Sequence, residues 1–215
     1  QAVLFDLDGT LIDSAPDLGA AVDKMRVDRG LSSFPLDHYR HMAGAGARGM
    51  LGIGFDMTPD HADFEAMKEE FFVNYERCMT ERTRIFDGVV ELIASLVAQG
   101  MPWGVVTNKP RRFTQPLMHS IGLLTRAACV ISGDDAPQPK PAPDTLLMAC
   151  KQADIKAEQC WYVGDAERDI QAGKAAGMRT VVALYGYIAD TDKPASWGAD
   201  QSINEPLDLL ALVNA

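Results

Sequence analysis

Two aspartates at the end of a short apolar run are the first residues whose types and spacing suggest chemistry. Asp6 lies within the run at residues 3–7, Val-Leu-Phe-Asp-Leu, and Asp8 follows it directly. On an extended chain, side chains two residues apart point to the same side. Burying carboxylates is costly and like charges repel, so this pair requires a compensating group.

Further polar residues lie at or near the ends of later apolar runs, which we expect to be strands. They are Thr107, Asn108, Asp165 and Asp169, while Lys140 lies in the connection before the helix that leads into the run at 160–164. Ligands of open parallel sheets bind beyond the carboxyl ends of the strands. We therefore expect these side chains to meet Asp6 and Asp8 at one edge of a sheet.

The acids predict a metal site. Asp6, Asp8 and Asp165 would place three carboxylates in one crevice, and they cannot all stay ionised there without a cation. Oxygen ligands without a nearby histidine or thiolate favour a hard ion, most simply Mg²⁺. We expect this metal to compensate the Asp6 and Asp8 pair.

The other residues suit phosphoryl transfer. Thr107 and Asn108 can offer a hydroxyl and backbone N–H groups to phosphate oxygens, and Lys140 supplies a compact positive charge. A carboxylate nucleophile can form an aspartyl-phosphate. A second carboxylate can donate a proton to the leaving oxygen and later accept one from water.

The elements that must position these residues alternate along the chain. Continuous apolar runs predict strands at residues 3–7, 103–107, 128–132, 160–164 and 180–184. Helical patterns lie between them, including GVVELIASLVAQG, DTLLMACKQA and DIQAGKAAG. Strands alternating with helices predict an α/β fold, a Rossmann-like doubly wound parallel sheet.

One segment interrupts this alternation. Residues 15–83 lack a strand-like run but carry apolar residues at helical spacing, so we expect an inserted α-helical segment. Ser14 is a candidate cap of its first helix, with Pro16 and Asp17 in the first turn. The glycine-rich stretch AGAGARGM, residues 43–50, predicts a loop that could close over substrate, with Arg48 as a possible contact to a substrate anion.

Composition limits the function classes. The 215 residues are 47% hydrophobic, and 20 basic against 30 acidic residues give a net charge of −10, which argues against binding to nucleic acid or anionic membranes. Four scattered cysteines without a CxxC pair predict buried, reduced thiols rather than a zinc site. With no membrane-length apolar run, we expect a soluble cytoplasmic protein that acts on a small molecule; its oligomeric state is not predicted.

The motifs DLDGT, VVTN, KPAPD and GDAERD, in this order, resemble the four motifs of the haloacid-dehalogenase (HAD) superfamily. The resemblance spans essentially the whole chain. It implies a catalytic core at residues 1–14 and 84–215 and an α-helical cap at residues 15–83.

The resemblance also implies roles. Asp6 would be the nucleophile and Asp8 the acid/base, while Thr107 and Asn108 would hold the phosphate. Lys140 would stabilise the nucleophile and the phosphoryl charge. Mg²⁺ would be bound by Asp6, Asp165 and the backbone carbonyl of Asp8, with Asp169 in support. Many relatives carry Asp or Ser where this chain has Ala166, which puts one supporting polar contact in doubt.

The resulting expectation is a Mg²⁺-dependent phosphomonoesterase that forms an aspartyl-phosphate. FDLDGTLIDSAPDL and VVTNKP resemble the phosphoglycolate phosphatase group, whereas YGYIAD and WGAD are more similar to N-acetylmuramic acid 6-phosphate phosphatases. Asp8 argues against a dehalogenase. A sugar phosphomutase keeps both aspartates and stays open, although Thr10 is typical of phosphatases. A non-catalytic binding module would not need the intact Asp6 and Lys140.

Overall fold

The structure contains a six-stranded parallel sheet. The computed structural model describes residues 1–214, without the side chains of residues 123 and 124. The strands in chain order are β1 (Ala2–Phe5), β2 (Ile12–Asp13), β3 (Arg84–Ile85), β4 (Trp103–Val106), β5 (Cys129–Ile131), β6 (Cys160–Gly164), β7 (Arg179–Ala183) and β8 (Gln201–Ile203). The sheet has the order β5-β4-β1-β6-β7-β8, and β2 pairs with β3 in a separate ribbon. This confirms the predicted α/β class.

Helices connect the strands. They are α1 (Ala15–Asp28), α2 (Gly46–Phe55), α3 (Phe64–Cys78), α4 (Val89–Ala98), α5 (Arg111–Ser120), α6 (Asp144–Ala153), α7 (Glu167–Ala175) and α8 (Leu209–Val213). The patterns in GVVELIASLVAQG, DTLLMACKQA and DIQAGKAAG correspond to α4, α6 and α7. The helix α4 is followed by Gly100 at φ 66°, a conformation that glycine adopts without steric cost.

The central strands are apolar because both faces of the sheet are covered there. Every residue of β1, β4 and β6 is buried. Leu146 and Ala149 of α6 pack in a core cluster with Val106 of β4 and Tyr162 of β6. Fully burying a leucine such as Leu146 contributes about 1.5–3 kcal/mol, so this cluster fixes the sheet beneath the site.

The chain divides into two compact units. One comprises residues 1–12 and 85–215 and contains the six-stranded sheet, and the other comprises residues 13–84 and contains α1, α2 and α3. The predicted boundaries lie one or two residues from these. Pro16 and Asp17 lie in the first turn of α1 as expected, and Ser14 occupies the N-cap position but its side chain makes no capping hydrogen bond.

The glycine-rich stretch is helical, so the predicted loop at residues 43–50 is wrong. Residues 36–45 form a 3₁₀ helix and Gly46 begins α2. A Cβ on Gly49 would lie 2.8 Å from the Cβ of Ala45, which shows that this glycine allows close packing. Arg48 lies in the first turn of α2 with its side chain exposed.

The cysteines are free, and Cys129, Cys150 and Cys160 are buried while Cys78 is half-buried, as the sequence predicts. Within residues 1–214, no helix is both long enough and apolar enough to cross a membrane.

Candidate active site

The carboxyl ends of β1, β4 and β6 lie side by side because these strands are neighbours in the sheet. Phe5 is in register with Val105 of β4 and Val163 of β6. Asp6, one residue beyond Phe5, continues the pairing by donating its N–H to the carbonyl of Val163 at 2.8 Å. The residues that follow these strands therefore meet at one edge, which is the candidate active site.

Lys140 binds two of the acids. Its Nζ lies 2.9 Å from Oδ1 of Asp6 and 2.7 Å from Oδ1 of Asp169, and all three side chains are almost fully buried. Nζ also donates to the hydroxyl of Tyr162 at 2.8 Å and to the carbonyl of Val106 at 3.1 Å. Burial raises the pKa of Asp6 despite the opposing attraction of Lys140. Two carboxylates and two neutral oxygens thus fix the ammonium group.

Asp165 is held by donors from distant parts of the chain. Thr10 Oγ1 donates to its Oδ1 at 3.1 Å, and the backbone N–H of Tyr187 donates to its Oδ2 at 2.8 Å. Burial, followed by the negative charges of Asp6 and Asp169, raises the pKa of Asp165 to about 7. This carboxylate therefore has hydrogen bonds but lacks full charge compensation.

Two glycines permit this arrangement. A Cβ on Gly186 would lie 2.5 Å from the carbonyl oxygen of Gly9 and 2.7 Å from Cγ of Asp165. Gly9 has φ 86°, and a Cβ there would also lie 2.7 Å from Cγ of Asp165. The sequence analysis missed Gly186 and Tyr187. The glycine soon after the apolar run at 180–184 is the sequence feature that could have indicated them.

Asp6, Asp165 and Asp169 could hold a metal ion. Each offers a buried carboxylate oxygen, and these atoms all lie within 4.8 Å of one another. Oδ1 of Asp6 already has Lys140 as a partner at 2.9 Å. A buried set of carboxylate oxygens without histidine or thiolate fits a hard divalent cation.

Asp169 differs from the other two acids in this cluster. Its Oδ1 contacts Lys140, and its Oδ2 accepts the N–H of Ala166, which caps the start of α7. Ala166 has no polar side-chain atom, so it takes part in this cap through its backbone N–H. Asp6 and Asp165 are thus the acids best placed for a metal, and Asp169 fixes Lys140.

Asp8 is paired with a lysine that the sequence analysis missed. Lys109 Nζ lies 2.9 Å and 3.2 Å from the two carboxylate oxygens of Asp8. The expectation that a metal compensates the Asp6 and Asp8 pair is therefore incomplete, because each acid also has its own lysine. The sequence feature that could have indicated this contact is the basic residue directly after Thr107 and Asn108.

The side chain of Asn108 binds the backbone of Lys140. Its Nδ2 donates to the carbonyl of Lys140 at 2.8 Å, and its Oδ1 accepts the N–H of Lys140 at 2.9 Å. This clamp ties the loop that carries Lys140 to the end of β4. The side-chain amide is therefore occupied, and the expected phosphate contacts of the Thr107 hydroxyl and of backbone N–H groups stay a prediction.

The acids outnumber the lysines at this edge. Four carboxylates, those of Asp6, Asp8, Asp165 and Asp169, surround two ammonium groups, those of Lys109 and Lys140. Arg168 adds positive charge: burial lowers its pKa, but nearby carboxylates outweigh that effect and raise it. The excess of acids favours a bound cation.

Comparison with known proteins agrees with this geometry. The model of a family described as haloacid dehalogenase-like hydrolase matches residues 3–183. The chain belongs to the haloacid dehalogenase-like hydrolases. Hydrolases of this family that act as phosphatases generally use a divalent metal.

Curated relatives within this hydrolase family are phosphatases. The chain is 40% identical over its full length to N-acetylmuramic acid 6-phosphate phosphatase of Pseudomonas putida, covering 96% of that protein. It is 44% identical to phosphoglycolate phosphatase of Xanthomonas campestris pv. campestris, with 97% of this chain and 94% of that protein covered.

A solved structure is also similar. The crystal structure of a predicted phosphoglycolate phosphatase from Haemophilus somnus superposes with a TM-score of 0.85 at 28% identity, covering 98% of this chain and 96% of the other. The family, the fold and the phosphatase class of this hydrolase are therefore established.

Proposed function

We propose that this phosphatase hydrolyses the phosphomonoester of a small phosphorylated acid, of the phosphoglycolate type, with Mg²⁺ and a phosphorylated Asp6. The observation that carries the proposal is the contact of Lys140 with Asp6 at 2.9 Å, inside the buried acid cluster that includes Asp165. An ammonium group and a hard-ion site beside one carboxylate suit a nucleophile that attacks an anionic phosphoryl group.

In the first step, a carboxylate oxygen of Asp6 attacks phosphorus and the bond from phosphorus to the substrate oxygen breaks. Asp8 donates its proton to that leaving oxygen. Lys140 holds Asp6 in place, and the Thr107 hydroxyl contacts a phosphoryl oxygen. In the second step, Asp8 takes a proton from water as the water attacks phosphorus, which releases inorganic phosphate and restores Asp6.

A Mg²⁺ ion held by Asp6, Asp165 and the backbone carbonyl of Asp8 would neutralise phosphoryl charge. Asp169 supports this site by holding Lys140, its partner at 2.7 Å. Hard-ion selectivity follows from the oxygen ligands, so soft thiophilic ions are not expected to replace Mg²⁺.

The residue assignments are tested by phosphate release from phosphoglycolate with Mg²⁺ and with a chelator. We expect release only with the metal, and none from Asp6→Asn, which changes a nucleophile but hardly changes its volume. Asp154→Asn is the matched control, because Asp154 is exposed and lies at the end of α6. Normal turnover by Asp6→Asn would refute the covalent step.

N-acetylmuramic acid 6-phosphate is the second candidate substrate, supported by the 40% identity over the whole chain to a phosphatase of that name. Both substrates combine a phosphate with a carboxylate, so Arg48 of the helical unit, taken as the cap, is a candidate contact for either. Comparing kcat/KM for the two substrates decides between them.

A sugar phosphomutase is distinguished by its product. An isomerised glucose phosphate without release of inorganic phosphate would support the mutase, and phosphate release would exclude it as the main activity.

A further inference from the structure

Lys109 contacts the carboxylate of Asp8, the acid and base of the proposed reaction. Its Nζ lies 2.9 Å from one carboxylate oxygen of Asp8 and 3.2 Å from the other. The side chains of Lys109 and Asp8 are only 7% and 14% exposed. An ion pair this sheltered is less screened than one at the surface, so it restricts where the Asp8 carboxylate lies.

The backbone of Lys109 is anchored at both ends. Its N–H donates to Thr107 Oγ1 at 3.1 Å, and its carbonyl accepts bonds from Thr114 Oγ1 at 3.1 Å and from the N–H of Gly133 at 3.0 Å. A Cβ on Gly133 would lie 2.7 Å from the carbonyl carbon of Asn108, so only a glycine lets the two loops approach. The base of the lysine side chain is therefore fixed before it reaches Asp8.

The two lysines divide the acids between them. Lys140 contacts Asp6 and Asp169, whereas Lys109 contacts Asp8. The division matters because Asp6 and Asp8 have different tasks in the proposed reaction. A single shared cation would draw both carboxylates to one point, whereas separate cations keep them apart.

We propose that Lys109 is a positioning residue that holds Asp8 for proton transfer, an inference that rests on the proposed function. When Asp8 gives its proton to the leaving oxygen, the bond from phosphorus to that oxygen breaks and the bond from Asp6 to phosphorus forms. Lys109 Nζ lies against both oxygens of this carboxyl group, so it holds the group in place through both proton transfers. The same carboxylate then accepts a proton from the attacking water.

The test compares two substrates of nearly the same shape, phenyl phosphate and p-nitrophenyl phosphate. Phenolate is the poorer leaving group and needs the proton, whereas p-nitrophenolate leaves largely without it. The measured quantity is kcat/KM, which covers the steps through departure of the leaving group. Neither substrate carries a carboxylate, so recognition of a substrate carboxylate cannot produce a difference.

We expect Lys109→Met to lower kcat/KM for phenyl phosphate by about tenfold or more, since general acid catalysis contributes roughly 10²–10⁴-fold. The loss for p-nitrophenyl phosphate should be less than about threefold, because little of that reaction depends on the acid. Lys109→Arg should restore part of the loss. Lys151→Met, at an exposed lysine of α6, is the matched control and should change neither value.

A double variant provides the second test. If Lys109 acts through Asp8, then Lys109→Met should cause little further loss on phenyl phosphate in an Asp8→Asn background. Independent, additive losses would overturn the proposal, and so would equal losses on both aryl phosphates, which would indicate contact with the phosphoryl group or a structural role. If Lys109→Met does not fold, Lys109→Gln serves in the same comparisons.

Failure of the proposed function has a different signature. The wild-type protein would then release no phosphate from either aryl phosphate or from phosphoglycolate with Mg²⁺. A wild-type enzyme that is active on both aryl phosphates, with Lys109→Met equally impaired on both, would overturn only the role of Lys109.

Discussion

Replacing Gly186 by alanine should displace Asp165 or the segment that binds it, and so disturb the acid cluster. The added Cβ would overlap Cβ of Asp165 and lie 2.5 Å from the carbonyl oxygen of Gly9, and no side-chain rotation moves either of these atoms away. Either the 185–187 segment or Asp165 must move. Movement of that segment also carries away the N–H of Tyr187, which donates to Asp165 at 2.8 Å.

The magnitude follows from these two effects. Overfilling a packed site costs about 1–3 kcal/mol. Losing a hydrogen bond to a charged group costs a further ~1.5–3 kcal/mol. Because the cluster can relax in part, we expect the free energy of unfolding to fall by about 2–5 kcal/mol. Displacing a group that orients a metal ligand should also weaken Mg²⁺ binding by about 10- to 100-fold.

Urea unfolding followed by circular dichroism measures the first effect, and Mg²⁺ titration of phosphate release measures the second. Gly122→Ala is the control, because no described atom outside its chain neighbours lies within 4 Å of a Cβ there and its φ is not in the left-handed region. We expect this control to change stability by less than about 0.5 kcal/mol. Equal unfolding midpoints and equal Mg²⁺ dependence for the two variants would refute the steric reasoning.

Three further outcomes are expected. Asp17→Ala should lower the free energy of unfolding by about 2–4 kcal/mol, since the buried carboxylate accepts bonds from the N–H and hydroxyl of Thr83 at 2.8 Å each. Tyr162→Phe should have a larger effect, in free energy, on kcat than on unfolding. It removes the hydroxyl that accepts a hydrogen bond from Lys140 at 2.8 Å. In metal-free protein, stability should fall as pH rises from about 4 to about 7, because the pKa of Asp165 is raised from 3.8 to about 7 on folding.

The sign of the pH effect follows from proton binding. Between these two pKa values the folded protein holds a proton on Asp165 that the unfolded chain has lost, so stability decreases with pH and levels off above about 7. Urea unfolding in chelator at several pH values measures it, and saturating Mg²⁺ should reduce the slope. A metal-free stability that rises through this range would contradict the raised pKa.

The expectations for Asp17→Ala and Tyr162→Phe can each be contradicted by one result. Asp17→Ala with wild-type stability would mean that the donors of Thr83 find water as easily as they find the carboxylate. A Tyr162→Phe enzyme with unchanged kcat would mean that the contacts of Lys140 with Asp6 and Asp169 fix the ammonium without help.

The strands were predictable because both faces of the sheet are covered. A run that must be apolar at every position stands out in any sequence, and the five predicted runs correspond to β1 and β4–β7. β8 was missed, since Gln201 and Ser202 are exposed and only Ile203 is buried. The local pattern therefore predicts central strands better than edge strands.

The glycine-rich segment was misinterpreted for a related reason. Composition alone equates glycine with flexibility, but Gly49 lies in a helix where a Cβ would meet Ala45 at 2.8 Å. Close packing and freedom of the backbone both select glycine. Only the packed structure separates the two explanations.

Most of the acids and bases of the site could be predicted from the sequence, because residue types and positions at strand ends are local properties. The pairing of these groups depends on the folded chain: Lys109 binds Asp8 across 101 residues, and Thr10 binds Asp165 across 155. The order β4-β1-β6 in the sheet brings those strand ends together. No local pattern encodes such pairings, because they depend on which strands become neighbours and on the few ångströms between their loops.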